Sequence, residues 1–326
     1  MPTLYQPFKN FSFNDKNCFS SGEPVNSQEP IAVFPEWIIQ EYDLLNRPFK
    51  MLDESMVSYA DIKLPVSIHT KNALDILENK LKKALNRGYE GLSKIAEADL
   101  FMWAGKIVYG IIFKELQTAI KQQQASADGF NMSQGLIHKF ANLHQMLQAL
   151  ISPIVFEEFK PWSIFLYKVN NPEGEFTYRD EINTLTFSLR MKDFGLIINL
   201  QDNGVNQIYH KEICDKIQKQ TLHPVQFEEL CARVFYSAYL FNRLPEYHTI
   251  QTETEIFMDA MPLRGMNAKP IFDDWQNKVY GQVLENFWKR WGFLHLEIIK
   301  NPQHPLSFLI DEKGEAVAAE NVLLPF

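Results

Sequence analysis

The sequence predicts an α+β fold, and three observations carry the prediction. Apolar residues recur at helical spacing through the first half of the chain, as at Leu74, Leu77, Leu81 and Leu85. Past Pro161 the pattern changes to alternation, with Leu185, Phe187 and Leu189 on one side of a strand. With 46% hydrophobic and 13% aromatic residues among 326, the chain also has the means to bury a sizeable core. The expected organisation is a small module over residues 1–90, a helical segment over 91–155, and an α+β domain over 156–326 with a small antiparallel sheet.

Each element has its own signal. Residues 1–17 read as a short strand or arm, and the Ser, Gly, Pro, Asn and Gln of Cys18–Pro30 favour turns. Phe34-Pro35-Glu36-Trp37 leads into a short helix, and Met51–Leu64 alternates weakly enough for a hairpin. Thr70 is placed to cap the leucine helix, which Gly88 ends. Asp99 is placed to cap a second helix, apolar on most sides and therefore buried. Gln122–Gly129 reads as a polar linker, after which Ser133 caps a third helix that Pro153 stops. Strands are expected at Trp162–Tyr167, Thr184–Arg190 and Phe194–Leu200, with Asp202-Asn203-Gly204 as the following turn. Helices return at Pro224–Asn242 and Ile271–Trp291, and Leu306–Ile310 reads as a last strand.

Composition narrows the function classes. A formal net charge of −8 argues against a whole-chain electrostatic grip on nucleic acid. Three cysteines, Cys18, Cys214 and Cys231, make no disulfide framework. The first residues lack a secretory pattern, and the longest apolar run, Phe101–Phe113, is too short for a bilayer. A soluble cytoplasmic protein without a membrane role is expected.

No G-x-S-x-G, Walker lysine loop or G-x-G-x-x-G occurs. His210 and Cys214 are spaced i, i+4 as two metal ligands on one helix face would be, with no third ligand nearby in sequence. His138 and His144 fall on different faces of one helix, and Glu228-Glu229 and Asp273-Asp274 read as solvated carboxylates. Asp180, Glu181 and Arg190 flank a strand pair and are the candidates for a cleft in the C-terminal half. Trp162, Trp275, Trp288 and Trp291 fit core positions better than a ligand platform.

Four positions near the N-terminus carry a further pattern: Cys18 with Ser21 and Gly22, and Ser67 with Thr70. Between them runs Ala32-Val33-Phe34-Pro35-Glu36-Trp37. The stretch Cys18–Glu78 resembles bacterial HNH-type proteins of the ββα-metal, treble-clef class. There a C-x-x-C-G knuckle is followed by Glu-His and an apolar-Phe-Pro-x-Trp run, and a second C-x-x-C-Asn knuckle starts a helix. The resemblance implies that Ser21, Ser67 and Thr70 stand at ligand positions and Ala32 at the general-base histidine. The asparagine position falls on Lys71, with Asn72 one residue later.

Chemistry decides what those substitutions mean. A structural zinc takes about four thiolate or imidazole ligands, and hydroxyls do not deprotonate usefully at neutral pH. An alanine at the base position accepts no proton from an attacking water. The resemblance therefore implies a zinc-free, cofactor-free module held by packing through Phe34, Trp37 and Leu64. Its expected action is binding, to a protein or to nucleic acid, without catalysis. Two other readings stand beside it: an enzyme whose site lies around Asp180, Glu181 and Arg190, and a residual metal-dependent nuclease that borrows His69 as its base. His69 with Cys18 would also make a two-ligand relic of the metal site.

Overall fold

The computed structural model describes residues 3–25, 29–125, 132–263 and 269–324, without the side chains of residues 123–125. The fold is α+β. A 3-10 turn at Pro7–Lys9 precedes an isolated bridge between Asn17 and Pro24, where the expected N-terminal strand would lie. β1 (Ile31–Ala32) leads into α1 (Glu36–Glu41), which follows Pro35 directly. β2 (Pro48–Lys50) and β3 (Met56–Ser58) form a hairpin, of which only β3 lies within the expected Met51–Leu64. β4 (Lys63–Leu64) then returns to pair antiparallel with β1.

α2 (Ile68–Leu85) has its cap three residues ahead of the predicted one. Ser67, in extended backbone, is the N-cap, and its hydroxyl accepts from the Thr70 amide. Leu74, Leu77, Leu81 and Leu85 form its buried face as the spacing predicts. A single turn, α3 (Tyr89–Leu92), separates it from α4 (Glu97–Ala125), whose first turn carries Asp99. Most of α4 from Leu100 to Phe113 is buried, in keeping with its apolar circumference. The helix runs through Gln122–Ala125, so that part of the expected linker is helical; the remainder lies outside the described residues. α5 (Gln134–Leu147) is capped by Ser133 as expected and ends in a 3-10 turn at Gln148–Leu150.

β5 (Ile154–Phe156) comes next, then β6 (Ser163–Lys168), β7 (Thr177–Glu181), β8 (Thr186–Met191) and β9 (Phe194–Asn199). The last four make one antiparallel sheet in the order β6-β9-β8-β7. Short helices α6 (Val205–Tyr209) and α7 (Lys211–Ile217) lead to α8 (Pro224–Leu240). His223 caps α8 in a capping box with Gln226. β10 (Tyr247–Gln251) and β11 (Ile256–Ala260) form a hairpin, and β11 pairs parallel with β5. α9 (Asn277–Trp288) and the turn α10 (His295–Ile298) complete the chain. No strand forms at Leu306–Ile310; Ile310 makes one isolated bridge to Ala316.

The chain divides into two compact units, along lines different from 1–90, 91–155 and 156–326. One gathers Met1–Arg87, Lys94–Phe159 and Leu244–Met261; the other gathers Gly88–Ser93, Lys160–Arg243 and Pro262–Phe326. The first contains α4 and α5 together with the N-terminal module. Its close packing has a local cause: a Cβ on Gly110 of α4 would stand 2.8 Å from Val33 and 3.0 Å from Leu64.

In the second unit α8 lies against β8 and β9. Phe227 presses on Gly195 so closely that a Cβ there would meet the ring at 2.2 Å. The core of this unit includes Phe165, Ile197, Leu230, Leu284 and Trp288, with Cys231 buried among them as a small apolar residue. Trp162 and Trp288 are buried, while Trp275 and Trp291 are partly so.

Candidate functional site

The four positions that the resemblance assigns to metal ligands come together. The turn Cys18–Gly22 is closed by Gly22 N–H on the Cys18 carbonyl, and Cys18 N–H bonds back to the Glu23 carbonyl at 2.7 Å. Gly22 has φ +72°, and a Cβ there would collide with the Tyr5 ring at 2.4 Å. Only glycine suits both conditions. Phe19 N–H donates to the Pro65 carbonyl at 2.9 Å, which fastens this turn to the start of α2.

At that junction Cys18 Sγ lies 3.3 Å from Thr70 Oγ1, Ser67 Oγ 3.2 Å from Thr70 Oγ1, and Ser21 Oγ 3.4 Å from Ser67 Oγ. Glu23 extends the cluster outward, accepting from Ser21 Oγ at 3.1 Å. The Cys18 thiol donates to Thr70 as drawn; in the thiolate form the Thr70 hydroxyl turns to donate instead.

Electrostatics follow from this arrangement. Burial, the largest influence on Cys18, raises its pKa. Hydrogen bonds from the Ser21 hydroxyl and amide, the Thr70 hydroxyl and the Ser67 amide outweigh it, so the thiol is held below its usual value. The Glu23 carboxyl is likewise lowered, first by the Ser67 hydroxyl and further by Ser21 and His69.

Ala32, where the resemblance places the general base, is also held by specific contacts. Ala32 ends β1, and its carbonyl accepts from Lys106 Nζ at 3.0 Å. The same ammonium donates to the Val33 carbonyl at 2.8 Å and to Glu78 Oε1 at 2.9 Å. It is buried, so all three of its protons have an oxygen partner. Phe34 and Leu64 are buried beside this strand pair, and Trp37 is half-buried. Lys106 was not among the residues that the sequence singled out. A lone lysine within the run Phe101–Phe113 was the available signal.

Zinc does not fit this donor set: one thiol and three hydroxyls do not supply the anionic sulfur or neutral imidazole that the ion takes. His69 is exposed on the first turn of α2, whereas Cys18 is buried within the cluster. Among the described residues no group of three or more His, Cys, Asp or Glu is arranged to hold a metal.

The cleft candidates are not assembled. In the register of β7 and β8, Asp180 opposes Phe187 and Glu181 opposes Thr186, while Arg190 opposes Thr177 at the far end of the ladder. Asp180 therefore faces the opposite side of the sheet from Arg190. Glu181 is engaged by the Asn183 amide and side chain in the hairpin turn. Arg190 is fully buried and committed: to Glu228 at 3.4 Å, Glu175 at 3.1 Å, Thr177 at 3.0 Å and the Asn171 side-chain oxygen.

Glu228 and Glu229, expected in solvent, are both buried on α8. Burial raises the Glu228 carboxyl, against the pull of Arg179 and Arg190. Glu229 accepts from Arg233, Ser307 Oγ and the amides of Phe308 and Leu309.

His210 and Cys214 do not form a pair. His210 Nε2 lies 2.8 Å from Ser237 Oγ, whose hydroxyl donates to Asn206, and the Cys214 thiol meets Tyr167 instead. The His210–Ser237 contact is buried on both sides, which closes it to any substrate.

Two buried histidines give a pH dependence. His144, on α5, faces the Phe19 carbonyl at 3.1 Å, and burial depresses its pKa to about 4. His210 is depressed to about 3, again chiefly by burial and further by Arg233. A folded-state pKa below the unfolded one means that the unfolded chain binds the extra proton as pH falls. The stability contributed by each neutral ring is complete above about pH 6.5 and is lost on descending toward pH 4 and pH 3 respectively. The thermal midpoint is expected to fall across that window, by the equivalent of a few kcal/mol for each histidine. His144→Gln should flatten the upper part of the fall; an unchanged profile in that variant would contradict the assignment.

Comparison with family profiles, with curated proteins and with solved structures finds no match. Among the described residues no helix is long and apolar enough to cross a membrane.

Proposed function

We propose that the protein is a non-catalytic relative of HNH-type proteins, in which the metal-held finger has become a hydrogen-bonded one, and that it acts through binding. One observation supports this above the others. Cys18, Ser21, Ser67 and Thr70, the four positions that the resemblance assigns to metal ligands, close on one another within 3.2–3.4 Å.

Residues 46 to 52 apart in sequence meet there, at a turn closed by glycine and at the cap of a helix. A turn-rich segment with no such history has no reason to bring these particular positions to one point. The base position supports the same reading. An alanine stands there, whose methyl group accepts no proton from water, and its carbonyl is engaged by the Lys106 ammonium.

The test uses the purified full-length chain. Elemental analysis is expected to find zinc well below one equivalent, even after expression in zinc-supplemented medium. Incubation with plasmid DNA and magnesium or manganese is expected to give no cleavage above the level of an empty-vector preparation. Stoichiometric zinc that resists chelation, or cleavage abolished by His69→Ala, would defeat the proposal.

A further inference from the structure

The three-stranded sheet β10-β11-β5 leaves two features unused. The first is an open edge. Among the described residues, the backbone of His248, Thr249, Ile250 and Gln251 bonds to no segment other than β11. Natural edges of this kind are usually blocked by lysine, proline or a bulge. This one carries none of them, and its side chains from His248 to Gln251 are exposed.

The second feature is an apolar row that crosses the sheet. Ile250 opposes Phe257, and Phe257 opposes Val155. Opposed residues share a face, so these three side chains form one line. Ile250 is 64% exposed and Val155 37% exposed.

Charge decides what suits the edge. From Leu244 to Met261 there are four carboxylates, Glu246, Glu253, Glu255 and Asp259, and no lysine or arginine. Among the described residues none of the four forms an ion pair. A second copy placed antiparallel about Thr249 would set Glu246 opposite the other copy's Thr252, so the end of each strand that carries Glu246 would meet the end that carries Glu253 and Glu255, acid against acid. A phosphate backbone meets the same repulsion.

We propose that β10 is a docking edge for an extended, basic peptide segment of a protein partner, added as a fourth strand. Main-chain hydrogen bonds would supply the pairing, and an apolar side chain beside Ile250 would lengthen the row to four strands. Lysine or arginine on either side would meet Glu246 at one end and Glu253 and Glu255 at the other. The proposal goes beyond the reading of the Cys18 cluster and does not depend on that cluster's ancestry.

Fluorescence polarisation with the full-length chain tests it. The probe is a labelled peptide, Lys-Arg-Thr-Val-Thr-Val-Arg-Lys. One comparator carries glutamate at the four basic positions; the other is the basic peptide N-methylated at alternate amides. Saturable binding of the probe is expected, about tenfold or more weaker for either comparator. Ile250→Lys, and separately the pair Glu253→Lys and Glu255→Lys, should weaken the probe similarly while leaving the circular dichroism spectrum and thermal midpoint unchanged.

Three outcomes would overturn the proposal. One is no saturation up to about 1 mM peptide, the weak limit for specific association. Another is equal affinity for the methylated peptide, which would reduce the interaction to charge alone. The third is sedimentation of the wild-type chain as a dimer that Ile250→Lys dissolves, which would assign the edge to a second copy. Each differs from the zinc and cleavage outcomes above, so the two readings fail separately.

Discussion

The triple variant Ser21→Cys, Ser67→Cys, Thr70→Cys is expected to bind one zinc ion per chain. With a zinc–sulfur bond of about 2.3 Å, thiolates at the corners of a tetrahedron stand roughly 3.8 Å apart. Here the contacts from Cys18 to Thr70, Thr70 to Ser67 and Ser67 to Ser21 are 3.2–3.4 Å, and the wild-type Cys18 already receives the amide hydrogens of Ser21 and Ser67. Small rotations of the four side chains open that cluster to the larger sulfur atoms. A structural zinc contributes on the order of 10 kcal/mol where it drives folding. Here the module is folded beforehand, so the gain is set by binding to the native state. A rise of several degrees or more in thermal midpoint, reversed by chelator, is expected alongside one equivalent of zinc by elemental analysis. A folded triple variant that takes up no zinc would show that the four positions do not have knuckle geometry.

Arg190→Met is expected to cost about 3–5 kcal/mol, the usual penalty for removing one member of a buried charge set. Arg190 lies at the centre of Glu228, Glu175, Thr177 and Asn171, with no solvent to replace it. Its loss leaves Glu228 buried with Arg179 alone, and Glu175 with Arg290. Adding Glu228→Leu removes the stranded carboxylate and should recover a large part of the loss, since apolar replacement of a whole buried pair is often neutral. Urea denaturation of the two single variants and the double variant measures this directly. Additive losses would mean that Arg190 and Glu228 do not depend on each other.

Much of the helical part was legible because its signal is local. The leucine spacing of α2, the apolar girth of α4 and the Ser133 cap each depend on residues within a few positions of one another. The cap of α2 was misplaced for an instructive reason. Ser67 and Thr70 are both competent caps three residues apart, and extended backbone after Pro65-Val66 assigns the role to Ser67. Thr70 then falls within the helix, where its hydroxyl belongs to the Cys18 cluster.

What was missed depends on partners far away in sequence. β5 has three residues and finds its parallel partner in β11, some hundred residues later. β7 is polar throughout, so no alternation marks it, and pairing with β8 alone makes it a strand. Glu228 and Glu229 look like solvated neighbours because charge patterns are normally read along one helix. Arg190 on β8 and the amides of Phe308 and Leu309 supply the compensation instead. The candidate site divides in the same way. Local motif recognition reached Cys18, Ser21, Ser67, Thr70 and Ala32, while Lys106, which engages the Ala32 carbonyl from α4, lies 74 residues away.

The interleaving of the two units has a consequence during synthesis. The first unit has most of its chain by Phe159, yet its sheet lacks two strands until Met261 has been made. At ribosomal rates of roughly 5–20 residues per second, the intervening stretch takes about 5–20 s to emerge. Throughout that interval β5 is without β11, and the N-terminal part waits on the ribosome with an unfinished sheet. A nascent-chain arrest series should show protease resistance of the N-terminal part increasing sharply only once β11 has cleared the exit tunnel.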